Sequence, residues 1–176
     1  MSNCEIAKPL SDADIREFLD HPMILKYSDL ANYPTLHDVL PEVGSYCFLL
    51  YESSLNNGHW TVILRPEEGI VEYFDSYGGY VDDPLRWTDN STQVGLGVSK
   101  PYLSILLRKT PEEVIYNKTK FQKDGPNIND CGRWCILRVV TMMYGLNLKD
   151  FKEFVEERVK KNKISPDQLV TDIIHQ

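Results

Sequence analysis

The stretch "GPNINDCGRWC", residues 125–135, marks the point where a polar turn meets an apolar run. Cys131 lies there between an acid and a glycine, at the start of "CGRWCILRVVTMMYG", which is apolar nearly all round and ends at Gly145. This pattern predicts a buried central helix that begins at Cys131. In the first turn of a helix, unpaired backbone N–H groups favour the thiolate form of a cysteine.

Three β-rich runs precede this helix: "YCFLLYE" (46–52), "HWTVILR" (59–65) and "IVEYFDS" (70–76). The polar, glycine-bearing connections "SSLNNG" and "PEEG" are typical of hairpins, so the runs predict an antiparallel meander. A further strand is expected within "PEEVIYNKTKFQ" (111–122). These strands and the central helix together predict an α+β fold.

Other segments carry start signals for flanking helices. The residues that form these signals are Ser11, Ser99 with Pro101, Asn147 with Asp150, and Ser165 with Pro166. Between the first helix and the meander, three prolines interrupt residues 21–45, which predicts irregular chain with a helical turn or two. We therefore expect one domain over 1–176, with a small antiparallel sheet packed against the central helix and further helices around it.

Composition excludes several classes of protein. A net charge of −7 argues against binding to nucleic acid, because phosphate contacts require a dense basic face. No apolar run approaches the roughly 18 residues that span a bilayer, and the first residues lack the apolar segment of a signal peptide. The four cysteines have no framework-like spacing, which favours an intracellular, reducing compartment. We expect a monomer that needs no cofactor or metal.

The meander brings a histidine and an acid together. His59 opens one strand after a glycine turn, and Asp75 ends the next strand. Because a short "PEEG" turn makes these strands antiparallel, the start of one lies beside the end of the other. A catalytic cysteine requires a base that takes its proton and a group that orients the base. An imidazole–carboxylate pair together with a cysteine at a helix N-terminus would supply these three groups.

The ordered motifs "HW", "DS" and "DCG" resemble the clan of cysteine proteases that includes the adenovirus maturation protease and the SUMO-deconjugating enzymes. The resemblance covers roughly residues 45–145. It implies that Cys131 is the nucleophile, His59 the general base and Asp75 its orienting group. It also implies that Trp60 covers a narrow channel for small substrate side chains, usually glycine. Gly132 is expected to leave room for the substrate backbone.

The chain departs from the family pattern at the glutamine that completes the oxyanion hole. The family places this glutamine about six residues before the cysteine, where this sequence has Gly125. Gln122 is the nearest glutamine and requires a longer loop. We favour Gln122 as the donor, with Asn127 or Asn129 as alternatives.

The compact chain is most like viral proteases of the adenovirus, virophage or Polinton type. The resemblance implies an endopeptidase that cleaves capsid precursors after a small residue, in the host cytoplasm or nucleus or packaged in the virion. Two alternatives stay open. One is a deconjugating protease for ubiquitin-like modifiers, and the other is a catalytically silent binding module with the same fold.

Overall fold

The computed structural model describes residues 6–175, in which a mixed five-stranded sheet has helices on both faces. The helices and strands, in chain order, are α1 (Asp12–Phe18), β1 (Met23–Lys26), a 3₁₀ helix (Tyr27–Asn32), α2 (Leu36–Val39), β2 (Tyr46–Ser54), β3 (Asn57–Leu64), β4 (Ile70–Phe74), a second 3₁₀ helix (Asp83–Trp87), α3 (Asn90–Leu96), α4 (Tyr102–Lys109), β5 (Glu113–Tyr116), α5 (Cys131–Met143), α6 (Leu148–Asn162) and α7 (Pro166–Ile173). The α+β class and the central cysteine-bearing helix α5 are as the sequence predicts.

The strand order is β1-β2-β3-β4-β5, and the three central strands form the predicted antiparallel meander. Both edge strands pair in parallel, β1 with β2 and β5 with β4. The prediction of a wholly antiparallel sheet was therefore wrong at its edges. Each edge strand is separated from its partner by a long helical connection, and such a crossover lets two strands run in the same direction.

Alternate residues of the central strands face two separate hydrophobic clusters. Phe48, Val62 and Phe74 face the cluster formed with α5, α6 and α7. Leu49 and Ile63 face the other cluster, which contains α2, α4 and the first 3₁₀ helix. The buried sheet thus has a hydrophobic layer on each side, and its period-two pattern fixes which residues point toward α5.

Side-chain caps fix the ends of the outer helices. Ser11, Asn147 and Ser165 each accept a hydrogen bond from a backbone N–H in the first turn of α1, α6 and α7, as the sequence predicts. No helix among residues 6–175 is long and apolar enough to cross a membrane.

Candidate active site

The hairpin of β3 and β4 brings the predicted histidine and acid into contact. Phe74 pairs with Val62, so the next residue, Asp75, falls opposite Thr61 and diagonal to His59 on the same face. His59 Nε2 lies 2.9 Å from Asp75 Oδ1, and both side chains are buried. This contact follows from the antiparallel pairing that the "PEEG" turn indicated.

The backbone around Asp75 holds its carboxylate in place. Oδ1 also accepts a hydrogen bond from the Tyr77 N–H at 2.9 Å, and the Asn117 side chain donates to the Asp75 carbonyl at 2.7 Å. Asn117 and Asp75 are almost completely buried. The orientation of the carboxylate toward His59 is therefore set by contacts that do not depend on the histidine.

Cys131 begins α5 and faces the other side of the His59 imidazole. Burial alone raises the pKa of the Cys131 thiol, but a hydrogen bond with His59, the imidazolium charge and the N–H groups of Trp60 and Gly132 bring it below its ordinary value. Burial lowers the pKa of His59, but hydrogen bonds to Asp75 and Cys131 raise it to about 10. Because Asp75 occupies Nε2, the Nδ1 atom is the one available to the thiol.

The other described cysteines have the opposite character. Burial raises the pKa of both the Cys47 and Cys135 thiols well above the ordinary value. Cys135 is fully buried one turn below Cys131, as the sequence predicts, and Cys47 faces the second hydrophobic cluster. Cys4 lies outside the described residues. Among residues 6–175, only the thiol of Cys131 has its pKa lowered.

Gln122, which the sequence favours as an oxyanion donor, lines the same cavity as His59 and Cys131. It is almost completely buried, and its Oε1 accepts a hydrogen bond from the Ser76 hydroxyl at 2.7 Å. Its Nε2 makes only a long contact, 3.4 Å, with the Ile128 carbonyl. Ser76 therefore fixes the amide orientation and leaves the N–H₂ group weakly bound.

The two alternative amides have different surroundings. Asn127 is exposed to solvent. Asn129 lines the cavity beside Cys131, but its Nδ2 donates to the Ala7 carbonyl at 2.9 Å. Gln122 is thus the one of the three whose amide N–H₂ group is both at the cavity and not engaged in a short hydrogen bond.

Trp60 is buried on the other side of Cys131, with its Nε1 donating to the Leu10 carbonyl at 2.8 Å. A Cβ atom added to Gly132 would lie 3.2 Å from Leu10 Cβ and 3.3 Å from Trp60 Cδ1. The space beside Gly132 is therefore filled by these two side chains. Glycine at position 132 therefore allows this close packing, and the expectation that Gly132 also leaves room for a substrate backbone stays a prediction.

The segment before α1 follows the first turn of α5 closely. The Asn129 N–H donates to the Ile6 carbonyl at 2.9 Å, and Arg133 Nη1 donates to the Lys8 carbonyl at 2.8 Å. Residues 6–10 lack hydrophobic periodicity, so the position of this segment against α5 could not be predicted from the sequence.

Asp130 precedes the cysteine but does not cap α5 with its side chain. The carboxyl group is fully buried, and burial together with the neighbouring Asp167 raises its pKa to about 9. Asp130 is therefore neutral near pH 7. Its position beside Cys131 consequently does not counteract the effect of the helix N-terminus on the thiol.

Two cavities meet at Cys131. One has a volume of about 540 Å³ and is bordered by Leu10, Leu50 and Trp60. The other, of about 260 Å³, lies on the His59 side and includes Gln122. A chain bound across both cavities would pass directly over the thiol.

Aromatic rings that the sequence did not single out enclose His59 from outside. Tyr77 stacks on the imidazole with ring centres 5.1 Å apart, and Trp87 contacts it at the same distance with tilted planes. Tyr77 follows directly after the "DS" motif, which could have indicated it. Trp87 ends the second 3₁₀ helix, whose sequence has no periodic pattern.

A virophage protein is similar to nearly the whole chain. "Uncharacterized protein V9" of Sputnik virophage is 41% identical over 165 residues, which cover 93% of this chain and 93% of that protein. This chain belongs to the V9 family. The relative is a virophage protein, and a viral origin for this chain follows from the similarity. No protein-family model matches the sequence.

Proposed function

We propose that this V9-family protein is a cysteine endopeptidase that cleaves viral protein precursors after a small residue, during particle maturation. The observation that supports it most is that His59 contacts both Asp75 and Cys131, and that Cys131 is the one cysteine of residues 6–175 whose thiol pKa is lowered. A purely structural cysteine buried in a helix has a raised pKa, as Cys135 does.

In the proposed mechanism, His59 Nδ1 takes the proton of Cys131 and the thiolate attacks the carbonyl carbon of the scissile bond. The tetrahedral oxyanion accepts hydrogen bonds from backbone N–H groups at the start of α5 and from Gln122 Nε2. As the C–N bond breaks, the imidazolium donates its proton to the leaving amine. Water then hydrolyses the thioester with His59 as base and regenerates the thiol.

The narrow space beside the nucleophile supports a small residue before the scissile bond. Leu10 and Trp60 already fill the region next to Gly132, within 3.3 Å of where a Cβ atom would be. A large substrate side chain bound directly beside Cys131 would press on Trp60, which lines the 540 Å³ cavity together with Cys131 and whose indole N–H is hydrogen-bonded. Glycine, which has no side chain, avoids this contact.

The test is incubation of the purified protein with the structural proteins encoded by the same viral genome, followed by sequencing of new N-termini. The wild-type protein should cut at a few sites after glycine or another small residue, and Cys131→Ala should not cut. Cys47→Ala is the matched control, because this thiol faces the other side of the sheet, and it should keep activity. Equal cleavage by Cys131→Ala would refute the proposal. Release of a modifier from ubiquitin-like adducts, without cleavage of structural proteins, would instead support the deconjugating alternative.

A further inference from the structure

Trp87 is a large aromatic residue that remains 55% exposed although it touches a buried histidine. Tyr77 meets it edge to face with ring centres 5.9 Å apart. Together with Pro84 these rings form one wall of the 260 Å³ cavity beside His59. Exposed aromatic faces at the mouth of a cavity are a common means of holding a ligand.

This aromatic wall is held in place by a buried polar network. Asp82, in the left-handed conformation at φ 66°, precedes the 3₁₀ helix that carries Trp87. Its carboxylate accepts hydrogen bonds from the hydroxyls of Tyr27 and Tyr51, each at 2.8 Å, and from the Ser104 N–H at 3.0 Å. The 3₁₀ helix that carries Trp87 is therefore held in place without a ligand. Binding of a ligand against Trp87 would cost little conformational entropy, because this segment is already ordered.

The lining of the cavity also carries a carboxylate. Glu52, near the end of β2, lines the cavity and is only 6% exposed. One of its oxygens accepts a hydrogen bond from the Asn56 N–H at 2.7 Å. Apart from His59, Glu52 is the only charged residue that lines the cavity, and no ion pair to it is formed within residues 6–175.

We propose that this cavity is a specificity subsite for a basic side chain, lysine or arginine, in the residue that follows the scissile bond. The inference rests on the proposed function. The cavity lies on the side where His59 would protonate the leaving amine, whereas the Trp60 cavity lies on the acyl side. The charged group or its guanidinium plane packs on the exposed face of Trp87 by cation–π contact, the aliphatic stem makes van der Waals contact with the ring, and the charge is directed toward Glu52.

The experiment is digestion of a proteome-derived peptide library, with the residue after each cut identified by sequencing the new N-termini. Lysine and arginine should be enriched there over glutamine and leucine. Matched peptides that differ only at this residue then give the ratio of kcat/KM for lysine over glutamine. We expect Glu52→Gln to lower this ratio about tenfold, because the isostere retains the hydrogen bond to Asn56 but loses the charge.

Two further variants separate recognition from general damage. Glu67→Gln removes an exposed carboxylate in the turn at the other end of β3 and should leave the ratio unchanged. Trp87→Ala should lower the ratio more than Trp87→Phe, even if both lower overall activity. Cleavage without a preference for basic residues, or with an apolar preference that Glu52→Gln leaves intact, would overturn this inference while the endopeptidase proposal stands. Absence of any cleavage by the wild-type protein would count against both.

Discussion

Cys131 and His59 determine each other's protonation state. The thiol pKa lies below its ordinary value of 9.0, and the imidazole pKa is raised to about 10. As pH rises through the lowered thiol pKa the thiolate forms, and as it rises through about 10 the imidazolium is lost. Both pKa shifts therefore favour transfer of the thiol proton from Cys131 to His59.

This pairing predicts the pH dependence of Cys131 alkylation. In the wild-type protein, iodoacetamide should modify Cys131 rapidly at pH 7, ahead of Cys47 and Cys135. His59→Ala removes the hydrogen bond and the charge that lower the thiol pKa, so its alkylation rate at pH 7 should fall about tenfold or more and recover above pH 9. Peptide mapping by mass spectrometry measures each rate. An unchanged Cys131 rate in His59→Ala would show that the two groups are not coupled.

Gln122 should act mainly in the transition state if it completes the oxyanion hole. Gln122→Ala should therefore lower kcat by about 10²–10³ with little change in KM. Asn127→Ala is the control, because that side chain is exposed. Ser76→Ala should have a smaller effect on kcat, since it only frees the orientation of the Gln122 amide. If Gln122→Ala kept full kcat while Asn129→Ala lost it, Asn129 would be the donor.

Asp130 should reduce stability as pH rises, because its pKa of about 9 in the folded protein exceeds the ordinary value of 3.8. Between these values the folded state binds more protons than the unfolded state, so the free energy of unfolding falls with increasing pH. Asp130→Asn removes the titrating carboxyl group and with it this pH dependence of the free energy of unfolding. Its gain in unfolding free energy over wild type should be larger at pH 7 than at pH 5 by about 1–3 kcal/mol. Urea denaturation at both pH values measures this difference, and an equal gain at both would mean that Asp130 does not titrate as described.

At the scale of helices and strands, the meander and α5 were predictable because each carries a strong local pattern. The "PEEG" turn set the direction of β3 and β4 and hence the contact of His59 with Asp75. The edge strand β1 was not predicted, because a strand of four residues directly after a proline is too short to show a recognisable alternation of polar and apolar residues. The Trp87 loop and the segment over Gly132 were missed for a different reason: both are positioned by long-range hydrogen bonds, through Asp82 and Trp60, rather than by local sequence.

The packing interface between α5 and the sheet includes a buried ion pair. The mostly apolar sequence of α5 did not indicate it. Arg138 makes two hydrogen bonds to the Glu72 carboxylate, at 2.7 and 2.8 Å, and both side chains are completely buried. Arg138→Leu should lower the free energy of unfolding by about 3–5 kcal/mol, because it leaves Glu72 charged and unpaired in the interior.

Two comparisons in the same urea experiment test this explanation. The double variant Glu72→Leu with Arg138→Leu should recover most of the loss, since it buries no charge. Lys152→Ala breaks an exposed pair with Glu156 and should change stability by less than about 1 kcal/mol. A double variant as unstable as Arg138→Leu would indicate that packing around Arg138, rather than its charge, is what matters.

At the scale of the whole molecule, the two faces of the sheet support different parts of the candidate site. One face packs on α5 and fixes the position of Cys131, while the other face supports the helices on which the Asp82 network is built. His59 and Asp75 lie at the end of the sheet where these two layers meet the two cavities. This viral protein of 176 residues thereby holds a buried thiol of lowered pKa where two cavities meet.

The proposed acyl-enzyme provides the most direct test of this account. The wild-type protein would be mixed with a peptide that it cleaves, quenched in acid within the first turnover, and mapped by mass spectrometry. We predict that the acyl portion of the peptide is attached as a thioester to Cys131, and that Cys131→Ala neither acquires the adduct nor cleaves the peptide. An adduct on another residue, or cleavage by Cys131→Ala at the wild-type rate, would contradict the assignment of Cys131 as the nucleophile.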